Sequence, residues 1–222
     1  NDSMWNDTSV YLYARGIRNT FSMAFDASGN LFGVENSGDR DHNEEMNWLQ
    51  KGKHYGFPWK MGDTYNPQQY PAFDPNTDLL IPHYSRSWRT GFWNNDPIFP
   101  TIPFGLTFED PIQNIGPDCD KFRDTITGEV KDASDLAISM GTFTAHRSPL
   151  GLVFDNAMAL HPAYRGDAFM LSWTKGLDSC GCTAVPDTGI GPFVDPSEDL
   201  VHLDMSFDST LSIFQLSATR II

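Results

Sequence analysis

Short alternations of apolar and polar residues, punctuated by Gly, Pro, Asn and Asp, run along most of the chain. A two-residue period bounded by turn formers predicts β-strands joined by tight turns. The clearest case is Ser22-Met23-Ala24-Phe25-Asp26, then Ala27-Ser28-Gly29-Asn30, then Leu31-Phe32-Gly33-Val34, which reads as strand, turn, strand. A small-apolar-Phe-acid phrase recurs at Gly105-Leu106-Thr107-Phe108-Glu109 and at Gly151-Leu152-Val153-Phe154-Asp155. The second of these leads to a further strand at Asp167-Ala168-Phe169-Met170-Leu171-Ser172, and Met205-Ser206-Phe207-Asp208 is a fainter fourth copy. The copies stand roughly one or two lengths of a propeller blade apart, a blade taking about 40–50 residues. The pattern predicts an all-β fold, a β-propeller of four-stranded antiparallel blades. Helix is expected only as a short piece within residues 131–140.

Two stretches break the alternation. Residues 60–104 are rich in Pro, Tyr, Trp, Asn and Asp, with Thr64-Tyr65-Asn66-Pro67, Ser85-Arg86-Ser87-Trp88-Arg89 and Gly91-Phe92-Trp93-Asn94-Asn95-Asp96. Disordered segments are poor in aromatics, so this region is expected to be an ordered insertion over one face. Residues 176–199 are rich in Gly, Pro and Asp and read as a long surface loop. The whole of 1–222 is taken as one domain.

Composition narrows the function. Hydrophobic residues make up 40% of the 222, enough for a sizeable core. The formal net charge of -14 argues against nucleic acid as a partner, because phosphate binding needs clustered Lys and Arg. No apolar run approaches the ~20 residues of a membrane span. A processed or trimmed amino terminus is expected from Asn1 onward, and Asn1-Asp2-Ser3 and Asn6-Asp7-Thr8 match the glycosylation acceptor pattern. The three cysteines, Cys119, Cys180 and Cys182, do not make a disulfide framework. Cys119 bridged to Cys180 or Cys182, or a set of free loop thiols, are both open. A secreted, periplasmic or extracellular location is expected.

The richest chemistry lies in Glu35-Asn36-Ser37-Gly38-Asp39-Arg40-Asp41-His42-Asn43-Glu44-Glu45-Met46-Asn47-Trp48 and the Lys51-Gly52-Lys53-His54-Tyr55-Gly56-Phe57-Pro58-Trp59 that follows. Side-chain oxygens at this density suit a hard cation such as calcium. Tyr84, Trp88, Phe92 and Trp93 are candidates for a wall that stacks on a sugar ring, or for an aromatic core under the insertion.

Gly16-Ile17-Arg18-Asn19, Gly29-Asn30-Leu31, Glu44-Glu45-Met46-Asn47-Trp48-Leu49, Lys51-Gly52 and Tyr55-Gly56-Phe57-Pro58 stand in an order and spacing that resemble the glucose/sorbosone dehydrogenase family. These are the soluble PQQ-dependent sugar dehydrogenases and their relatives. The resemblance covers about residues 11–59, with a second block at Ser148–Phe154 and Tyr164–Phe169. It implies the later blades of a six-bladed propeller that oxidises an aldose or related alcohol at its mouth, with PQQ and calcium. It implies that Arg18 and Asn19 contact PQQ carboxylates, that Glu45 and Tyr55 bind a structural calcium, and that the loop at His146 and Arg147 nears the sugar. Gly38 and Asp39 stand where the family has a Gly-Pro step whose carbonyls hold the cofactor's calcium. Here Pro is absent and the loop is two residues longer. The family's general-base His would lie before this stretch, so no catalytic residue is assigned. The expected partners are a small-molecule sugar or glycan and further blades of the same protein or another subunit. The alternative reading is a non-catalytic extracellular propeller, stabilised by calcium, that binds glycans or proteins.

Overall fold

The computed structural model describes residues 11–83, 85–173, 193, 195 and 198–222. The expectations for Tyr84, Cys180, Cys182, the two glycosylation acceptors and most of the 176–199 loop lie outside the described residues. Strands dominate, and the two α-helices among the described residues are single turns.

The first sheet is an antiparallel meander of β1 (Thr20–Phe25), β2 (Leu31–Glu35) and β3 (Glu45–Leu49). The turn between β1 and β2 closes as its sequence dictates. Asp26 Oδ1 accepts from the backbone N–H groups of Ser28 (2.9 Å) and Asn30 (2.8 Å), while Gly29 takes the left-handed φ of +85°. Two short hairpins follow: β4 (Lys60–Met61) with β5 (Thr64–Tyr65), and, past β6 (Gln113–Asn114), β7 (Lys121–Arg123) with β8 (Val130–Asp132). Helix α1 (Arg86–Arg89) is capped by the Ser85 side chain. Helix α2 (Ala133–Leu136) is all that forms of the helix expected over 131–140: β8 occupies its beginning, and Ala137 at φ 53° ends it.

The second sheet joins β9 (Pro149–Phe154), β10 (Ala168–Ser172), β11 (Leu200–Asp208) and β12 (Ile213–Arg220) as an antiparallel meander, with β6 lying parallel beside β12. The all-β expectation is met. The two large sheets carry three and five strands, however, where four-stranded antiparallel blades were expected. Three of the four recurring Phe phrases do sit in strands, at the end of β1, the end of β9 and within β11. Residues 105–109 form no strand; the Phe108 ring instead lies 5.9 Å from Trp59 and 5.3 Å from His54.

The sheets meet around Phe32, which is fully buried and touches the rings of Phe154 (5.3 Å) and Phe214 (5.0 Å). Val34, Met46, Phe143, Leu152, Met170, Val201, Leu203 and Leu216 complete this core. Strand β1 turns its small residues toward β9: the Leu152 N–H donates to Ser22 Oγ at 3.1 Å. Its larger residues Phe21, Met23 and Phe25 are left on the outer face, exposed.

Removing the Phe32 ring leaves a cavity between two sheets that cannot both close on it. Phe32→Ala is expected to lower stability by about 3–5 kcal/mol, read from urea unfolding.

Candidate functional site

Between β2 and β3 the chain buries a polar run. Arg40, Asp41, His42, Asn43, Glu44, Glu45 and Asn47 are all buried, and burial without partners would be costly for each. Most side chains in the run find them. Arg40 donates from Nε and Nη2 to Asp78 (2.9 and 3.3 Å), and its Nη1 meets His42 Nε2 at 2.5 Å. Asp41 accepts from Arg123 Nε at 2.6 Å and pairs with His146 Nε2 at 2.7 Å. Asn43 Nδ2 donates to the carbonyls of Lys121 (3.0 Å) and Phe143 (2.9 Å). Gly62 and Gly141 press on this turn: a Cβ on Gly62 would lie 3.1 Å from the Asn43 carbonyl, and one on Gly141 3.0 Å from Asn43 Cβ.

Of this run, His42 reaches the lining of a cavity of about 500 Å³. Arg18 lines it from just before β1, and Gly38, Asp39 and His42 from the β2–β3 loop; Phe57, Ser87, Phe92, Trp93, Asp96 and Phe99 line it from the residues that follow. Arg18 Nη1 donates to the carbonyls of Asn36 and Ser37, both at 2.8 Å, which fixes the guanidinium at the rim. Asp39 Oδ2 accepts from the Ser87 N–H at 3.3 Å. Trp93 Nε1 donates to Ser87 Oγ at 2.9 Å.

Of the residues expected from sequence, Arg18, Gly38, Asp39, Phe92 and Trp93 are brought together here. Asn19 neighbours Arg18 but is not on the lining; its N–H donates to Glu35 Oε1 at 3.1 Å. Trp88 stacks on His83, 3.9 Å away and tilted by 15°, away from the lining. His146 is engaged by Asp41. Arg147, expected to approach substrate, is fully buried and pairs with Asp195 (3.0 Å) and Asp199 (2.6 Å), which also hold Arg220 of β12. It is a structural cation that ties the start of β9 to the end of β12. His42, Asp96 and Phe57 were not singled out in the sequence. Each was legible only as part of a polar or aromatic run, because a run does not say which member faces a cavity.

The family model described as Glucose / Sorbosone dehydrogenase matches residues 3–96, less than half of the chain. That stretch is glucose/sorbosone dehydrogenase-like. Among solved structures, the chain is similar to the soluble aldose sugar dehydrogenase from Escherichia coli in its apo form, at 17% identity and a TM-score of 0.38, over 95% of this chain and 48% of that one. The chain thus spans about half the length of that protein. No curated protein sequence matches it.

The glucose/sorbosone dehydrogenase-like stretch can be tested against the groups its family implies. For the quinone the residues fit on one side: Arg18 is a fixed cation at a cavity with aromatic walls. For a calcium held by the side chains of Glu45 and Tyr55 they do not. The Tyr55 hydroxyl donates to the Trp48 carbonyl at 2.6 Å and accepts from the Gln50 N–H at 2.7 Å, and burial pushes it up to about 12. Glu45 accepts elsewhere, from the Gly62 N–H (2.6 Å) and Asn47 Nδ2 (2.9 Å). Among the described residues no group of three His, Cys, Asp or Glu is placed to hold a metal. Cys119 is a free, buried thiol among the described residues.

Three buried carboxyls in this stretch hold their protons unusually well. Burial, reinforced by the nearby Glu35, pushes Glu45 up to about 8. Burial raises Glu35 too, against the N–H groups of Arg18 and Asn19, and lifts Glu44 to about 7. Between the ordinary carboxylate value of 4.5 and about 8, the folded chain keeps a proton at Glu45 that the unfolded chain has lost. Stability contributed by that protonated form is therefore complete below 4.5 and lost as pH rises through about 8. Urea unfolding across pH 5–8 is expected to show stability falling with pH. Glu45→Gln should reduce the slope, each such group contributing at most about 1.4 kcal/mol per pH unit.

Proposed function

We propose that this chain is part of a PQQ-dependent sugar (aldose) dehydrogenase-like protein that oxidises a sugar or related alcohol, with the Arg18 cavity as its binding site. In this reading residues 1–222 form part of a β-propeller, residues 60–104 wall the cavity, and further blades of the same protein or another subunit complete it. One observation carries the reading. A guanidinium held by two backbone carbonyls stands at a cavity of about 500 Å³ flanked by Phe57, Phe92, Trp93 and Phe99.

Each wall has a task. Arg18 would bind a carboxylate of the quinone through charge-assisted hydrogen bonds, its orientation set before binding. Asn19 beside it would add an amide donor. PQQ, when bound, supplies the hydride acceptor. The aromatic faces would exclude water and pack against the apolar face of a pyranose. Asp39 and Asp96, the two carboxylates on the lining, would accept hydrogen bonds from sugar hydroxyls and hold the ring in one orientation.

The second reading, a non-catalytic extracellular propeller that binds glycans or proteins, is favoured by the state of two histidines. His42 and His146 have Nε2 engaged by Arg40 and Asp41, so neither Nε2 is open to take a proton from a substrate.

Equilibrium dialysis with PQQ, followed by dye reduction with calcium and several aldoses, separates the two. Binding and turnover are expected, and Arg18→Ala should weaken PQQ about ten- to a hundredfold, as loss of a hydrogen bond between charged partners costs ~1.5–3 kcal/mol. Sugar binding without PQQ binding would favour the second reading.

A further inference from the structure

The residues that lengthen the 37–43 loop, where the chain leaves the family pattern, build something of their own. Arg40 is only 5% exposed, and its guanidinium is matched by the Asp78 carboxylate on two hydrogen bonds. Its Nη1 lies 2.5 Å from His42 Nε2, with a longer contact to Thr64 Oγ1 at 3.4 Å. A guanidinium has donors and no acceptor, so Nε2 must present a lone pair. The ring is then neutral and its proton sits on Nδ1. No hydrogen bond joins Nδ1 to any described residue, and Nδ1 is not among the sealed, unpartnered polar atoms. The open space that His42 lines is the Arg18 cavity.

We propose that His42 is a fixed hydrogen-bond donor of this cavity, locked as the Nδ1–H tautomer by the Asp78–Arg40 pair, and that it selects a sugar by donating to one of its hydroxyl or ring oxygens. The choice of ligand rests on the sugar reading above; the tautomer does not. The surroundings agree with a neutral ring. Burial, then the cations Arg40, Arg18 and His146, hold His42 well below the ordinary imidazole range. Asp39 shares the lining and supplies an acceptor, so a hydroxylated ring would meet a donor and an acceptor on the same wall. His42 here is a specificity residue. It takes no proton from the substrate, because its only lone pair belongs to Arg40.

Two measurements test this on the intact chain. Long-range proton–nitrogen NMR with ¹⁵N-histidine, with His42→Gln used for assignment, should show Nδ1 protonated and Nε2 bare at neutral pH. An Nε2–H tautomer or an imidazolium overturns the proposal. D-Glucose is the probe for the ligand half. It should shift the Nδ1–H resonance of the native protein, and His42→Leu should weaken binding by about three- to tenfold, the scale of one net hydrogen bond. His42→Gln, which keeps a donor, should recover part of that loss. An unmoved Nδ1–H resonance in glucose-saturated protein overturns the donor role, even if the leucine variant fails to fold. If the native chain binds neither D-glucose nor PQQ, the function proposed above fails together with the ligand half, while the tautomer stands or falls on its own spectrum.

Discussion

Seven polar residues buried within one stretch of eight, Arg40 to Asn47, govern how the rest of this chain is arranged. Water cannot satisfy these groups, so other segments must. Arg40 reaches Asp78 in the 60–104 region, and Asp41 gathers Arg123 from β7 and His146 from the approach to β9. Asn43 takes the carbonyls of Lys121 and Phe143. One loop is thereby hydrogen-bonded to three separate regions, and a hairpin of β2 and β3 that could fold locally becomes the hub of long-range order. Glu35 and Glu45 are buried in the same arrangement, and burial raises both carboxyls, Glu45 to about 8.

The same constraint shapes the cavity. Because Asn36 and Ser37 are held at the start of the loop, their carbonyls can grip Arg18 and hold it at the rim. Because Arg40 must have an anion, Asp78 is drawn in, and the 60–104 region that carries Asp78 also brings Phe92, Trp93 and Asp96 to the opposite wall. The cavity lining and the folding of this loop thus share residues. Substitutions in residues 36–43 would change both together, whereas Phe57 and Phe92, which are exposed, can alter the lining with less consequence for folding.

Much of this could be read in the chain itself. The Asp-Ala-Ser-Gly-Asn turn between β1 and β2, the strands at Gly151–Phe154 and Ala168–Ser172, and the all-β class follow from alternation and turn chemistry, which are local. Arg18, Gly38, Asp39, Phe92 and Trp93 were likewise identifiable as residues with binding chemistry. Sheet membership was not: the parallel pairing of β6 with β12 joins residues about a hundred positions apart, and no local signal reports it. Nor was the fate of Arg147 and Tyr55. An arginine beside a Ser-Pro loop reads as a surface cation until Asp195 and Asp199 close over it, and a tyrosine reads as a ligand until its hydroxyl is seen donating to the Trp48 carbonyl.

Sequence alone thus determined the strand-and-turn alphabet, the likeness to glucose/sorbosone dehydrogenases over the first part of the chain, and the types of side chain available for chemistry. These depend on residue identity and short spacing. Tertiary structure alone decided which buried polar group meets which partner, that His42 Nε2 lies against Arg40, and that Arg18 shares a cavity with Phe92, Trp93 and Phe99. Those outcomes depend on contacts between segments far apart in the chain, where the need to satisfy every buried charge, not any local preference, selects the arrangement.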